Sequence, residues 1–410
     1  MSSSRPVSRL LLAGPLAAAL LSLVSAAAAQ GNDATWPQWR GPNRDGRSTE
    51  GDLRLGESAR KLWSRDIGIG YSCVSIADGR LYTMGHDKEA QEDTIFCLKA
   101  ADGEVVWSHS FPAKTMAMAH KGGTLSTPSI DGERLFASNR EGNFFCFDAA
   151  DGEVRWHKDL REDYGLEIPT WGFAASPLVL DDMIVMNVGL VIAFDREGKE
   201  IWKTERNLGH AYSTPATFTR GGKEYLAVFA GSGLTVLERK TGKEVATAEW
   251  KTSYDVNAAT PVVSGDNIFI SSGYNHGCAV YGFDGKKLEQ KWASKIMRNH
   301  MSGCVAVGDH LFGYDEGTVK CIDFEGNEVW SERGFGKCAL LVAGDKLVLL
   351  GRRGDLVLAK ASPKGYEELE RVEALDGDGE KWTTPVVLDG RIYVRNSTGE
   401  LAAIDARPAQ

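Results

Sequence analysis

The chain has 410 residues, of which 42% are hydrophobic and 25% charged, and its formal net charge is -9. This is the composition of an ordinary globular protein with ample length for a large core. The negative charge and the lack of a basic stripe argue against nucleic acid as a partner.

The first 29 residues have the pattern of a secretory signal peptide. Arg5 and Arg9 precede an apolar run over residues 10–24, and small residues at A-x-A spacing follow it. We predict cleavage near Ala29, which makes the protein exported, periplasmic or extracellular. The alternative is a retained anchor, since the stretch is about long enough to span a bilayer, but Pro15 and the alanines favour cleavage. No cysteine lies near the cleavage point, so we expect no lipid anchor.

After a lead-in segment at residues 30–57, a turn followed by a short apolar strand recurs eight times, the first copy being DGRLYTM (78–84) and the last DGRIYVR (389–395). Each copy has a strand before it, a strand after it, and then a hairpin turn and a fourth strand. Radial repetition of four-stranded sheets at this repeat length describes a β-propeller. The predicted fold is all-β, an eight-bladed β-propeller over residues 58–406 with four antiparallel strands per blade, followed by a tail at 407–410.

The eighth unit ends after its third strand, at the C-terminus. A candidate for its missing fourth strand lies at the other end of the propeller, in ARKLWSRDI, residues 59–67. We predict that this segment pairs with the strand at 400–406, so that an N-terminal strand closes the last blade.

A tryptophan ends the fourth strand of most units. The fourth strand is the outer edge of its blade, and a large flat side chain there can pack on the neighbouring sheet. The preceding turn, such as ADGE, supplies the positive φ of a tight hairpin. We therefore interpret these tryptophans as structural: Trp63, Trp107, Trp156, Trp202, Trp250, Trp292 and Trp330.

The strand followed by D-x-x-x-G-x-x-x-W, in tandem, resembles the repeat of the PQQ-type (pyrrolo-quinoline quinone) propeller family. FDAADGEVRW (147–156), FDREGKEIW (194–202) and CIDFEGNEVW (321–330) are close matches. The resemblance covers about residues 58–406, and WPQWRGPNRDG (36–46) resembles the lead-in of exported proteins that carry this repeat. These motifs are specific for the fold and say little about function.

Two branches of this family imply different functions. Quinoprotein dehydrogenases oxidise alcohols or sugars with PQQ and a metal, usually calcium, and the alcohol-oxidising ones have a pair of adjacent cysteines that stack on the quinone. The other branch resembles the outer-membrane assembly factor BamB, an eight-bladed scaffold without a cofactor that binds protein partners. This chain has no Cys-Cys pair, and its length and blade count resemble the BamB branch, although the lipid-attachment cysteine is missing.

The resemblance therefore implies a non-catalytic scaffold or binding module, a monomer with an unidentified protein partner. We expect no catalytic residues, no metal site and no cofactor. The alternative is a PQQ-dependent dehydrogenase of alcohols or sugars, with the quinone and calcium at the channel mouth.

The loops that enter the first strand of each unit are expected to converge at the channel mouth, by analogy with other propellers. Several are rich in aromatic and polar residues, which suits a small planar or sugar-like ligand. Each side chain could instead be an ordinary loop or capping residue. The candidate ligand-binding residues are Trp171, His210, Tyr212, Tyr254, Asn257, Arg298, His300 and Trp382. We predict that Trp171, Tyr212, Asn257, His300 and Trp382 border one cavity.

Seven cysteines follow the signal peptide. Cys97, Cys146 and Cys321 hold the same third-strand position in three units, which predicts small buried thiols. Cys304 and Cys338 begin the first strands of adjacent units, and a disulfide between them is an open alternative that geometry decides.

Overall fold

The structure is a computed structural model and describes residues 1–2, 35–117, 120–376 and 378–408. The signal-peptide prediction concerns residues that lie almost wholly outside these ranges. No helix in the described ranges is long and apolar enough to cross a membrane.

Within these ranges, thirty-three strands form eight sheets, and each sheet is one blade. The lead-in contains β1 (Arg47–Ser48), and β2 (Arg60–Asp66) follows it. Blade 1 consists of β3 (Ser75–Ala77), β4 (Arg80–Asp87), β5 (Glu92–Lys99) and β6 (Val105–Pro112). Blade 2 consists of β7 (Ser129–Asp131), β8 (Arg134–Ser138), β9 (Asn143–Asp148) and β10 (Val154–Asp159), after which comes the short helix α1 (Leu160–Tyr164).

Blade 3 consists of β11 (Leu178–Val179), β12 (Ile184–Val188), β13 (Leu190–Phe194) and β14 (Glu200–Lys203). Blade 4 consists of β15 (Ala216–Arg220), β16 (Lys223–Ala230), β17 (Gly233–Glu238) and β18 (Glu244–Glu249), and a 3-10 turn (Ser253–Asp255) follows it. Blade 5 consists of β19 (Val262–Ser264), β20 (Asn267–Ser272), β21 (Gly277–Phe283) and β22 (Leu288–Ser294).

Blade 6 consists of β23 (Val305–Val307), β24 (His310–Asp315), β25 (Thr318–Asp323) and β26 (Glu328–Arg333). Blade 7 consists of β27 (Ala339–Ala343), β28 (Lys346–Leu350), β29 (Asp355–Lys360) and β30 (Glu368–Glu373). Blade 8 consists of β31 (Val386–Leu388), β32 (Arg391–Arg395) and β33 (Glu400–Asp405), and β2 completes it.

The second and third strands of the blades carry the core. KLVLL in β28 and IVMNV in β12 are buried along their whole length, because each sheet packs between two neighbouring blades and both of its faces are covered. Such strands show continuous apolar runs in place of alternation. The fourth strands are mostly exposed, as in VVWSHSFP of β6, where only Trp107 and Phe111 are buried, because they form the outer edge.

The predicted closure of the ring is confirmed. Strand β2 pairs antiparallel with β33, with Arg60 opposite Asp405 and Asp66 opposite Glu400. The repeat in the sequence is therefore sufficient to predict the eight-bladed fold and its N-terminal closing strand.

The tryptophan and the turn glycine of the repeat form the contact between successive blades. Trp107 lies opposite Cys97 in blade 1 and packs over Gly152 of blade 2, where an added Cβ would come within 2.5 Å of the indole ring. Its Nε1 donates a hydrogen bond to the backbone oxygen of Ala149 at 3.0 Å. The same packing joins Trp63 to Gly103, Trp156 to Gly198, Trp202 to Gly242 and Trp292 to Gly326.

Two of the predicted structural tryptophans differ from this pattern. Trp330 keeps the strand position and donates to the backbone oxygen of Ser362 at 2.8 Å. Trp250 does not keep it, because in blade 4 Ala246 holds the position opposite Val236 and Trp250 comes after the end of β18. The assignment of Trp250 to the repeat is thus corrected: it lies eight residues after its turn glycine, whereas Trp107 lies four residues after Gly103.

The lead-in segment runs along the inside of the ring. Strand β1 adds parallel to β27, the innermost strand of blade 7. Before it, each of residues 36–40 forms hydrogen bonds to a different blade, in the order 1, 2, 3, 5 and 6. The pairs are Trp36 with Ile76, Pro37 with Ile130, Gln38 with Val179, Trp39 with Thr260, and Arg40 with Cys304. Residues 36–48 therefore lie across the central channel, and we call them the plug.

All seven cysteines are buried and free. The pairing of Cys304 with Cys338 is not formed.

Candidate functional site

A cavity of about 360 Å³ lies at the mouth of the channel. Each of the eight blades contributes to its wall from the loop that precedes its innermost strand, as the sequence predicted for such loops. One lining residue from each blade, in chain order, is Tyr71, His120, Trp171, Tyr212, Ala258, His300, Lys337 and Trp382. The volume falls within the range of small-molecule sites.

Four of the five residues predicted to border one cavity do so: Trp171, Tyr212, His300 and Trp382. The fifth, Asn257, is buried beside the cavity and does not line it. Its amide donates to the backbone oxygen of Ala230 at 2.7 Å. Asn257 therefore holds loops of two blades together.

Three further candidates also lie outside the cavity wall. Arg298 is bound by the carboxylate of Asp315 at 2.7 Å and is not among the lining residues. His210 is part-exposed, with Nδ1 3.8 Å from a carboxylate oxygen of Asp255. Tyr254 is 67% exposed and contacts Tyr274, which itself lines the cavity.

One wall of the cavity is a continuous row of aromatic rings from blades 8, 1, 2 and 3. Trp382 stacks on Tyr71 with ring centroids 5.5 Å apart and an angle of 18° between the planes. His120 meets Tyr71 edge-on at 5.3 Å and lies 5.7 Å from Trp171. Such a wall offers flat faces to a planar ligand.

A hydrogen bond from its hydroxyl to Glu380 holds Tyr71 in this row. Its hydroxyl donates to Glu380 Oε2 at 3.2 Å, and the Ser397 hydroxyl donates to the same oxygen at 2.5 Å. Burial would raise the pKa of Glu380, but these hydrogen bonds outweigh burial and lower it. Burial, followed by the charge of Glu380, raises the pKa of Tyr71. The tyrosine therefore stays neutral and keeps its ring in place.

Next to this row, the loop of blade 7 carries a cation that lines the cavity, Lys337. Its Nζ lies 5.0 Å from the ring centroid of Trp382 and 3.4 Å from Nδ1 of His300. Burial lowers the pKa of Lys337. Burial, together with the charge of Lys337, lowers the pKa of His300 to about 4, so His300 is neutral at pH 7 and accepts the hydrogen bond.

Trp39 of the plug closes the cavity on the channel side. Its Nε1 donates to Thr260 Oγ1 at 3.1 Å, and its ring lines the cavity. The lead-in segment therefore forms the side of the cavity that faces the channel.

Two buried polar atoms of the wall have no hydrogen-bond partner within the described part of the chain. They are Nε1 of Trp171 and the hydroxyl of Tyr212, although the backbone N–H of Trp171 is close enough to that hydroxyl to affect its pKa. Burial raises the pKa of Tyr212 to about 12, so its hydroxyl keeps its proton at neutral pH. Unpaired buried polar atoms are uncommon in native proteins, and a ligand in the cavity could pair with both.

The donor set does not fit a calcium ion. A calcium site needs six to eight oxygen ligands at one point, and no Asp or Glu is among the described residues that line the cavity. Across the described ranges, no group of three or more His, Cys, Asp or Glu residues is arranged to hold a metal.

Among the lining residues that sequence reasoning missed, five carry aromatic or charged side chains: Trp39, Tyr71, His120, Tyr274 and Lys337. Tyr71 and Lys337 stand in GYS and GKC, directly before the first strands of units 1 and 7. The loop rule that found Trp171 would have found these two had it been applied to every unit. Trp39 belongs to no repeat, and only the course of the plug brings it to the cavity.

Comparison with known proteins supports the architecture. The crystal structure of BamB from Moraxella catarrhalis has a TM-score of 0.59 and 16% identity, covering 86% of this chain and 99% of that one. Quinohemoprotein alcohol dehydrogenase from Comamonas testosteroni has a TM-score of 0.67 and 12% identity, covering 93% and 82%. A europium-containing methanol dehydrogenase has a TM-score of 0.56 and 11% identity, covering 91% and 98%. At these identities the likeness concerns the fold alone.

The sequence comparisons are more specific. No curated protein sequence matches the chain. The family profile described as outer membrane protein assembly factor BamB matches residues 91–332, more than half of the chain. The chain therefore belongs to this family of PQQ-type repeat propellers.

Proposed function

We propose that this protein is an exported, non-catalytic binding module whose channel mouth holds a small ligand and whose ring serves as a scaffold for a protein partner. The observation that carries the ligand site is the cavity itself. Loops from all eight blades form it, aromatic rings make up one of its sides, and the lining residues that the structure describes include no carboxylate.

The chemistry of the wall supports binding over catalysis. His300 is neutral and bonded to Lys337, and Tyr71 is bonded to Glu380. Ser176, a lining hydroxyl, accepts a hydrogen bond from the backbone N–H of Thr127 at 2.9 Å. Within the described residues no lining hydroxyl is bonded to a lining histidine, the pairing that activates a nucleophile.

The scaffold part of the proposal comes from the family. The profile that matches this chain is named for an outer membrane assembly factor. Exposed aromatic side chains beside the mouth, Tyr254 at 67% and Tyr274 at 46%, offer a surface of the kind that protein interfaces use. Export is proposed from the N-terminal sequence pattern.

The alternative, a PQQ-dependent dehydrogenase, is favoured by the flat aromatic row and opposed by the missing calcium ligands. The test is to add PQQ and calcium to the purified protein and to measure dye-linked oxidation of alcohols and aldoses. We expect no turnover. Turnover of any of these substrates that disappears in Trp171→Ala and Trp382→Ala variants would overturn the non-catalytic proposal.

The ligand site has its own test. Calorimetric titration with neutral naphthamide, a flat aromatic probe, should show binding that is lost when Trp171→Ala and Trp382→Ala are combined. Trp250→Ala is the control, since Trp250 lies outside the cavity wall. A double variant that binds as well as the natural protein would place the site elsewhere.

A further inference from the structure

Lys337 is the only cation that lines the cavity among the residues the structure describes. In that part of the chain the wall offers no carboxylate to balance it, and no carboxylate lies within ion-pair distance of its Nζ; the charges of Glu316 and Glu380 act on its pKa from farther away. Its neighbours are the face of Trp382 and the neutral ring of His300.

This arrangement is unusual for a lysine that only supports the fold. Half-buried ammonium groups are normally paired with a carboxylate, because removing a charge from water without a partner costs free energy. A cation over an aromatic face recovers part of that cost, and the hydrogen bond to His300 recovers more. The ammonium has three donors, and the contacts found account for one of them.

The other two N–H donors of Lys337 lie next to the aromatic row. Lys337 contacts Trp382, and Trp382 stacks on Tyr71. A ring lying against this aromatic row would place an attached anionic group beside the ammonium. Further along the row, the unpaired Nε1 of Trp171 is a donor and suits an acceptor on the same ligand.

We propose that the cavity binds a flat aromatic monocarboxylate, whose ring packs on the row of Trp382 and Tyr71 and whose carboxylate is bound by Lys337. This inference rests on the proposed ligand-binding function and specifies the ligand class. One ammonium balances one negative charge, and among the described residues no second cation lines the wall, so a polyanion is disfavoured. A neutral sugar would leave Lys337 without a carboxylate in direct contact.

The experiment compares two probes of nearly the same size and shape, the anionic naphthoate and the neutral naphthamide, by calorimetric titration of the full protein. A charge-assisted hydrogen bond contributes enough that naphthoate should bind at least about tenfold more tightly than naphthamide. Equal binding of the two probes would overturn the proposal while leaving the proposed function intact. Binding of neither probe would overturn both.

Variants of Lys337 locate the effect. Lys337→Met should remove the preference, so that naphthoate binds no more tightly than naphthamide to this variant, and Lys337→Arg should retain most of the preference. Lys364→Met is the matched control, because Lys364 is an exposed lysine of the same blade far from the wall. A preference for naphthoate that persists in Lys337→Met would overturn the assignment, and the circular dichroism spectrum and melting curve of the variant show whether it is folded.

Discussion

The contact between the tryptophan of one blade and the turn glycine of the next can be tested at the closure of the ring. Gly103 of blade 1 has a φ of 72°, and a Cβ added there would lie 2.7 Å from the indole ring of Trp63 in blade 8. Gly79, in another turn of blade 1, has a φ of 69°, and an added Cβ would meet nothing within 4 Å. The two glycines thus share a backbone conformation and differ in what surrounds them.

Alanine at either position has the same backbone penalty, about 1–2 kcal/mol for a non-glycine residue in the left-handed region. The smaller gain from a less flexible unfolded chain is also shared. Only Gly103→Ala forces the indole to move, and overpacking of this kind typically costs a further 1–3 kcal/mol, roughly. We therefore expect Gly103→Ala to lower the free energy of unfolding by about 1–3 kcal/mol more than Gly79→Ala does.

Urea unfolding at 25 °C, followed by circular dichroism, measures both losses. The matched double variants isolate the contact, since in a Trp63→Ala background the two glycine substitutions should cost the same. Trp63→Ala alone should cost about 3–5 kcal/mol, as large-to-small changes of buried aromatics do. Equal losses for Gly103→Ala and Gly79→Ala in the natural background would refute the role of the tryptophan–glycine contact in joining blades.

Three further predictions follow from the same structure. Deletion of residues 30–68 removes β2 and the plug, so the melting temperature should fall sharply, and an unchanged melting curve would contradict the closure. The pKa of His300 is lowered to about 4 in the folded state, against about 6.5 when unfolded. Only the unfolded chain therefore gains this proton as pH falls from about 6.5 to 4, so the free energy of unfolding should drop by up to about 3 kcal/mol. His300→Gln should remove that part of the pH dependence. Identical profiles of stability against pH for the variant and the natural protein would refute the prediction. The pKa of Lys337 is lowered by burial, so Lys337 should lose its proton at a pH below the ordinary lysine pKa. Naphthoate binding should weaken over that pH range, whereas naphthamide binding should not change.

The fold could be predicted because the repeat specifies it at several levels. Each unit carries its own strand and turn signals, and eight units with one strand missing at the C-terminus require a closing strand from elsewhere. The segment around Trp63 was recognisable because it matches the fourth strands of the other units. Trp250 shows the limit of this reasoning: it ends a unit in sequence, but the register of β17 and β18 places Ala246 at the packing position.

The site was predictable in outline, since residues before the innermost strands do converge. The direction of each side chain was not, because a loop position does not determine which way its residue points. Asn257 points into the wall, whereas its neighbours Val256 and Ala258 line the cavity. Arg298 is held by Asp315, a partner 17 residues away that belongs to another strand.

Trp39 was beyond sequence reasoning for a different physical reason. The plug has no periodicity of its own, and it is held by hydrogen bonds to six different blades that are brought together only when the ring has closed. Lys337 was missed because a single lysine in a loop is ordinarily a solvated surface residue. Its importance comes from the aromatic ring beneath it and from the absence of a lining carboxylate, which are properties of the assembled cavity.

The central claim is that the channel mouth is a binding cavity for a flat, singly charged aromatic ligand. The most direct measurement is a crystal structure of the protein grown with saturating naphthoate. The account predicts electron density for one ring against Trp382 and Tyr71, with the carboxylate within hydrogen-bond distance of Lys337 Nζ. Naphthoate bound only elsewhere on the protein, or a cavity filled by water alone at saturating ligand, would contradict it.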